Sequence, residues 1–153
     1  MEPKKFQRGR KYEALEKSEW VNLDGNCEAY FEKSVPLISG RGGRIDVLID
    51  EKNGNYTIIE IKSTNWEKIM PHRIRPNVLR HIQQIIGYWD YFDGNNKPVC
   101  LAICYPSAPK QISTRRIIEE IFLNKGIQIV WTKERGINDR PGVPPQSEII
   151  AGA

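Results

Sequence analysis

The chain has 153 residues, of which 39% are hydrophobic and 27% are charged, and its 23 lysines and arginines exceed its 19 acidic residues by four. One domain of ordinary size fits this length, and the composition excludes both a disordered chain and one built of membrane-spanning helices. The first residues lack the apolar core of a secretory signal, so we expect an intracellular (cytoplasmic) protein that does not contact a membrane.

Turn residues and the spacing of apolar residues divide the chain into eight predicted elements. Residues 1–9 are expected to form a flexible basic arm and residues 133–153 a loosely ordered tail, which leaves 10–132 as the domain. In chain order the elements are a helix at about Arg10–Leu23, strands at Cys27–Ser39, Arg44–Asp50 and Tyr56–Lys62, a helix at Asn77–Phe92, a strand at Lys97–Tyr105, a helix at Ile112–Asn124 and a strand at Ile127–Trp131. Thr64–Pro76 is expected to be irregular, with Pro71 and Pro76 as helix breakers.

The order of these elements, α-β-β-β-α-β-α-β, predicts an α/β fold. The three consecutive strands form an antiparallel meander, whereas the later strand–helix–strand unit requires a parallel, right-handed crossover. We therefore expect a mixed central β-sheet flanked by helices.

The three cysteines, Cys27, Cys100 and Cys104, show no C-x-x-C spacing. This small, odd set argues against a disulfide framework and against a zinc site made of cysteines alone. Cys100 and Cys104 lie in an apolar run, so we expect both to be buried free thiols.

The second and third predicted strands are joined by a segment containing Asn53-Gly54, the strongest short-range signal of a hairpin. A loop of residues 52–54, with Gly54 in the left-handed position of a type I turn and G1 bulge, pairs Asp46 with Glu60. Alternation then places Asp46, Glu60 and Lys62 on one face of the hairpin. A two-residue loop would instead put Asp46 opposite Ile61, beside the core, which is disfavoured. The opposite face is uniformly apolar, with Ile45, Val47, Ile49, Ile59 and Ile61.

This polar trio has the composition of a metal site. Neighbouring carboxylates repel each other unless a cation neutralises them, and oxygen ligands without cysteine or a histidine pair select Mg²⁺ or Mn²⁺. We expect Asp46 and Glu60 to hold the ion, which can lower the pKa of a bound water and stabilise the charge of a phosphoryl transition state. Lys62 can hold the attacking water and counter the developing phosphate charge. The alternative is a surface cluster of cross-strand salt bridges, but charges among so many apolar residues are costly to bury unless paired or metal-bound.

Two short segments resemble the signature of the PD-(D/E)XK nuclease superfamily, in its RecB-type or Holliday-junction-resolvase-like branch. They are Gly43-Arg44-Ile45-Asp46 and, with its glutamate fourteen residues after Asp46, Glu60-Ile61-Lys62-Ser63. Ile45 stands where the family usually has proline. The resemblance covers about residues 9–131 and implies a restriction-endonuclease-like core and metal-dependent cleavage of DNA.

The helix after the third strand adds a further match to the RecB-type members, Gln84-Ile85-Ile86-Gly87-Tyr88. A separation of four residues puts Gln84 and Tyr88 on the same helix face. The resemblance implies that both line the site and orient either the catalytic lysine or the DNA backbone. The alternative is an ordinary amphipathic helix with a polar flank.

Many members of the superfamily carry an additional glutamate on the first helix, as a metal ligand or to shape the site. Glu13 and Glu16 are the two candidates here, and the alternative for both is a solvated acidic helix face. Some RecB-type relatives bind an iron–sulfur cluster through four cysteines. Three cysteines in this chain argue against such a cluster.

Basic residues flank the predicted site on both sides and suggest contacts with a phosphate backbone, with Trp66 available for base stacking. The alternative is that these loops are only solvated. The two histidines have no metal-binding spacing, which gives a His-based metal or base little support. The residues expected to contact nucleic acid are Arg41, Arg44, Trp66, Arg73, Arg75 and Arg80.

Together with the resemblance, the sequence predicts a nuclease that hydrolyses phosphodiester bonds of DNA with Mg²⁺ or Mn²⁺. Asp46 and Glu60 are expected to hold the ion, with the Ile61 carbonyl as third protein ligand, and Lys62 to position or activate the water. No Walker-type loop, nucleophile elbow or dinucleotide fingerprint is present, so no nucleotide cofactor is expected. RNA stays open as a substrate, and a homodimer or a larger complex is expected to supply specificity. The alternative function is a non-cleaving nucleic-acid-binding module, or a subunit of a larger nuclease–helicase assembly, with the same fold.

Overall fold

The computed structural model describes residues 28–36, 42–52, 54–93 and 99–134. Within these ranges the strands are β1 (Glu28–Pro36), β2 (Gly42–Asp50), β3 (Tyr56–Ile61), β4 (Val99–Tyr105) and β5 (Ile127–Trp131), and the helices are α1 (Pro71–Asp93) and α2 (Ile112–Asn124). The predicted basic arm, the predicted first helix and residues 135–153 of the predicted tail lie outside the described residues.

The five described strands form one sheet in the order β1-β2-β3-β4-β5. β2 is antiparallel to both β1 and β3, whereas β4 is parallel to both β3 and β5. This arrangement confirms the predicted α/β fold, with a mixed central sheet and flanking helices. Neither helix in the described ranges combines the length and the apolar character needed to cross a membrane.

The hairpin between β2 and β3 has the predicted register. Val47 lies opposite Ile59 and Asp50 opposite Tyr56, and the ladder closes with a hydrogen bond from the Glu51 N–H to the Asn55 carbonyl at 3.1 Å. Gly54 has a φ of +92°, the left-handed conformation predicted for it. The predicted type I turn is wrong, because it requires a negative φ at its first loop residue and Lys52 has a φ of +62°.

Both faces of the hairpin are buried, although the alternation predicts one core face and one polar face. The face opposite Asp46 and Glu60 is apolar as predicted, except that Ile45 packs with the helix-side cluster. The face that carries Asp46 and Glu60 is also core, since Leu48 and Ile58 pack there beneath the helices. The strand and helix residues of this helix-side core include Leu101, Ile103, Tyr105, Val78, Ile82, Ile85, Phe92, Ile118 and Phe122.

Helix α1 begins at Pro71, six residues before the predicted start at Asn77. Proline is favoured at the first position of a helix, where its missing N–H has no intrahelical acceptor. Pro76 lies in the second turn and removes a single hydrogen bond there. The Asn77 side chain adds one nearby, from Nδ2 to the Arg73 carbonyl at 2.7 Å. The region predicted to be irregular is therefore partly helical.

The two described cysteines are free thiols and differ in exposure. Cys104 is buried as predicted. The prediction is wrong for Cys100, which is exposed because burial on β4 begins only at Leu101.

Arg115 on α2 connects that helix to the segment after β5. Its Nε donates to Glu119 at 2.9 Å and its Nη1 to Glu134 at 2.8 Å, while the guanidinium carbon lies 5.8 Å from the centre of the Trp131 ring. The carboxylate of Glu134, and to a smaller extent that of Glu119, raises the pKa of Arg115. One side chain thus links three points of the structure.

We expect Arg115→Ala to lower the free energy of unfolding by about 1 kcal/mol, since partly exposed ion pairs and cation–π contacts are individually weak. Urea denaturation measures the change. The matched control is Arg116→Ala, which removes the exposed neighbouring arginine and should change stability by less than about 0.5 kcal/mol. Equal effects of the two substitutions would contradict the role of Arg115 as a link.

Candidate active site

Asp46 and Glu60 lie next to each other on β2 and β3. Continuing the register by one pair beyond Val47 and Ile59 places the two acids opposite each other, as predicted. Asp46 Oδ2 accepts a hydrogen bond from the Ile61 N–H at 2.8 Å, which fixes that carboxylate against β3. The strand pairing therefore holds both carboxylates in place.

Glu60 is buried, with an exposed fraction of 1%, and its Oε1 has no hydrogen-bond partner. Burial, and then the neighbouring carboxylate of Asp46, raise the pKa of Glu60 from 4.5 to about 9, and Lys62 opposes this shift. A buried carboxylate oxygen without a partner is costly in free energy. The site thus favours a proton or a cation at this position.

Lys62 follows β3 directly and joins the two strands to helix α1. Its Nζ donates to Gln84 Oε1 at 2.6 Å and lies 3.5 Å from Glu60 Oε2. Its backbone N–H donates to the Cys104 carbonyl at 2.9 Å, which anchors the residue to β4. The ammonium is therefore held by one amide and by the buried carboxylate of Glu60.

A short chain of hydrogen bonds supports Lys62 from helix α1. Gln84 Nε2 donates to the Tyr88 hydroxyl at 3.1 Å, and that hydroxyl donates to the Arg44 carbonyl at 2.7 Å. Burial and the charge of Glu60 raise the pKa of Tyr88, which keeps the hydroxyl protonated. The structure thus brings together five residues predicted from separate segments of the sequence: Asp46, Glu60, Lys62, Gln84 and Tyr88.

The donor set fits a hard divalent cation. Two neighbouring carboxylates, one of them with an unpartnered oxygen, are the ligand type that Mg²⁺ and Mn²⁺ prefer. Within the described ranges no group of three or more histidine, cysteine, aspartate or glutamate side chains could hold a metal. The predicted set of Asp46, Glu60 and the Ile61 carbonyl needs only two such side chains. Glu13 and Glu16, the predicted additional acids, lie outside the described residues.

The predicted nucleic-acid contacts differ in their surroundings. Arg73, Arg75 and Arg80 are exposed on the first turns of α1. The Arg44 guanidinium is exposed too, but it lies 3.5 Å from the Glu32 carboxylate, which offsets part of its charge. Arg41 lies outside the described residues.

Trp66 does not offer its ring for base stacking, which corrects the prediction. Its exposed fraction is 3%, and its ring packs edge-on against Tyr105 with 5.1 Å between the ring centres. The basic residues around it in the sequence suggest a surface position, but the ring fills the core beneath α1 because indole burial is strongly favourable. Base stacking by Trp66 is therefore not part of the site.

Two buried polar residues of α1 were not predicted as part of the site. His81 is 6% exposed, and its Nδ1 lies 2.7 Å from the Tyr105 hydroxyl. Burial, followed by Lys62 and Arg80, lowers the pKa of His81 to about 4, so the ring is neutral at pH 7. Asn77 is 8% exposed and accepts a hydrogen bond from Arg80. The only sequence signal for Asn77 is its helical spacing from Arg80.

Comparisons with known proteins give a structural similarity but no sequence match. No family model matches the chain, and neither does any curated protein. The chain is similar to the crystal structure of a repair endonuclease from Pyrococcus abyssi, with a TM-score of 0.46 and 16% sequence identity. The match covers 76% of this chain and 44% of the other, so the chain spans less than half the length of that protein.

Proposed function

We propose that the protein is a metal-dependent nuclease that hydrolyses phosphodiester bonds of DNA. The observation that carries this proposal is the buried Glu60 carboxylate, with one unpartnered oxygen, beside Asp46 and Lys62. Burying a carboxylate in this state costs several kcal/mol unless a proton or a cation compensates it. Such an acid does not stabilise the strand pair, whereas a metal site requires a carboxylate as a ligand.

Asp46 and Glu60 would hold Mg²⁺ or Mn²⁺, with the Ile61 carbonyl as third protein ligand and Glu13 or Glu16 as a further acid. When bound, such an ion lowers the pKa of a coordinated water and stabilises negative charge on a phosphoryl group. The burial of Glu60 limits solvent around the carboxylates, which strengthens their electrostatic interactions with a cation.

Lys62 would act on the attacking water and on the charge that develops on the phosphate. Its ammonium has three N–H donors, of which one is used by Gln84 and one faces Glu60. The third is available to the water or to a phosphate oxygen. Gln84 and Tyr88 would keep the ammonium in this position, because their hydrogen bonds connect it to the backbone of β2.

A plasmid-cleavage assay tests the proposal. We expect wild-type protein to cut DNA with Mg²⁺ or Mn²⁺ and not with EDTA, and Asp46→Asn to lower the rate by at least about 10²-fold, because it removes one ligand charge. Asp90→Asn, a carboxylate on α1 outside the site, is the control. Circular and linear, single- and double-stranded DNA, together with RNA, define the substrate class.

Two results would contradict the proposal. Cleavage that persists at full rate in EDTA removes the metal from the mechanism. Retardation of DNA on a gel without cleavage under any metal condition would instead support a non-cleaving nucleic-acid-binding module. Calorimetric titration with Mn²⁺ reports on the ion site independently of cleavage.

A further inference from the structure

Arg80 is an exposed arginine on α1 whose guanidinium is held by a buried amide. Its Nη2 donates to Asn77 Oδ1, and Asn77 Nδ2 donates in turn to the Arg73 carbonyl at 2.7 Å. Both ends of the Asn77 amide therefore have a partner, which fixes its orientation. In the described part of the chain, no carboxylate lies within ion-pair distance of Arg80.

Four other described arginines do not combine a side chain held by a hydrogen bond with a charge that no carboxylate offsets. Arg115 is compensated by two carboxylates and Arg44 by one. The side chains of Arg73 and Arg75 are exposed and have neither a side-chain anchor nor an ion pair among the described residues. Arg80 thus carries a net positive charge in a defined place.

That place adjoins the candidate active site. Arg80 and Gln84 are four residues apart and share a face of α1, and Gln84 accepts the hydrogen bond from Lys62. After burial, the charges of Lys62 and Arg80 are the two causes that lower the pKa of His81, so both cations lie near the same buried ring. A nucleic acid whose phosphate reaches Lys62 therefore brings a further phosphate close to Arg80.

We infer that Asn77 positions Arg80 to bind the phosphate next to the one that is hydrolysed, an inference that rests on the proposed function. A guanidinium has five N–H donors, so the bond to Asn77 leaves a planar pair free for two phosphate oxygens. Because Asn77 already restricts the side chain, less conformational entropy is lost when the phosphate binds. Arg80 is then the phosphate-binding residue and Asn77 a positioning residue.

The test measures binding of a fluorescein-labelled DNA oligonucleotide, as a single strand and as a duplex, by fluorescence anisotropy in EDTA over a series of salt concentrations. We expect Arg80→Ala to weaken binding about 10-fold and to reduce the salt slope by about one. Arg80→Lys should weaken binding about 5-fold, since an ammonium lacks the planar pair of N–H groups that binds two phosphate oxygens side by side. Arg116→Ala, an exposed arginine on α2, is the control for the loss of charge.

A double-mutant cycle separates positioning from a structural role. Asn77→Ala should weaken binding about 4-fold, and adding it to Arg80→Ala should weaken binding no further, because Asn77 acts through Arg80. In cleavage with Mg²⁺, Arg80→Ala should raise KM about 10-fold and change kcat by less than about 3-fold. Additive effects of the two substitutions would overturn the inference. If Asn77→Ala does not fold, Arg80→Lys is the deciding variant. An affinity of Arg80→Lys for DNA equal to that of wild type would also overturn the inference.

Failure of the proposed function and failure of this inference alone give different experimental results. Wild-type protein that binds neither form of DNA and cleaves none removes the proposed function, and this inference with it. Wild-type protein that binds and cleaves, with Arg80→Ala or Arg80→Lys unchanged, removes only the role of Arg80 and Asn77.

Discussion

Lys62→Ala should lower kcat for DNA cleavage about 10³-fold, equivalent to about 4 kcal/mol of transition-state stabilisation. The ammonium is the cation that the side chains of both Gln84 and Glu60 contact, and no other described lysine reaches this position. In the proposed mechanism, loss of the ammonium would remove both the donor to the attacking water and a positive charge beside the phosphate. Single-turnover cleavage of a labelled substrate with saturating Mg²⁺ measures the effect.

Several controls make this result specific to Lys62. Lys125→Ala removes an exposed lysine at the end of α2 and should change kcat by less than about 2-fold, because exposed charges far from the site act weakly through screened solvent. Lys62→Met retains much of the aliphatic stem, so an equal loss in Met and Ala variants assigns the effect to the ammonium. Cleavage by Lys62→Ala at more than a tenth of the wild-type rate, with normal folding, would remove Lys62 from the mechanism.

Glu60→Gln should abolish cleavage and at the same time stabilise the metal-free protein at alkaline pH. The pKa of Glu60 is about 9 in the folded protein and near its ordinary value of 4.5 when unfolded. The folded state therefore binds the proton more tightly, so stability without metal falls as the pH rises from about 4.5 to about 9. A neutral amide does not titrate and removes this loss.

Thermal unfolding in EDTA at pH 5 and at pH 8.5 measures the prediction. We expect Glu60→Gln to melt at least about 5 °C above wild type at pH 8.5, which corresponds to about 2 kcal/mol, and close to wild type at pH 5. Glu120→Gln, an exposed acid on α2, should show no such difference. Mn²⁺ should raise the melting temperature of wild type but not of Glu60→Gln. A variant less stable than wild type at pH 8.5 would show that ionised Glu60 is compensated without a metal.

The strand register and the helix face of the site follow from local patterns that a sequence displays. Asn53-Gly54 between two alternating strands fixes the hairpin, and the hairpin register alone places Asp46 beside Glu60. The spacing of Gln84 and Tyr88 likewise predicts a shared helix face. In the structure Gln84 accepts a hydrogen bond from Lys62 and Tyr88 donates one to the Arg44 carbonyl, so both side chains lie on the same face of the helix.

The features that the sequence did not predict depend on contacts between distant segments. Trp66 is buried because it packs on Tyr105, 39 positions later, and no local pattern reveals that contact. Glu32 offsets the charge of Arg44 only because β1 lies beside β2. Pro71 at the first position of a helix and a helix-breaking proline look alike in sequence, so the start of α1 could not be predicted either. The role of Glu13 or Glu16 stays a prediction.

The central position of β3 in the sheet has a consequence for how substrate is accommodated. Its backbone is hydrogen-bonded to β2 on one side and to β4 on the other, so the strand that carries Glu60 and leads into Lys62 has no free edge. Its amide protons should therefore be among the slowest to exchange with deuterium in the protein. With Glu60 fixed on such a rigid strand, the substrate of the proposed reaction would have to bring its phosphate to this carboxylate, because the strand cannot shift toward the phosphate.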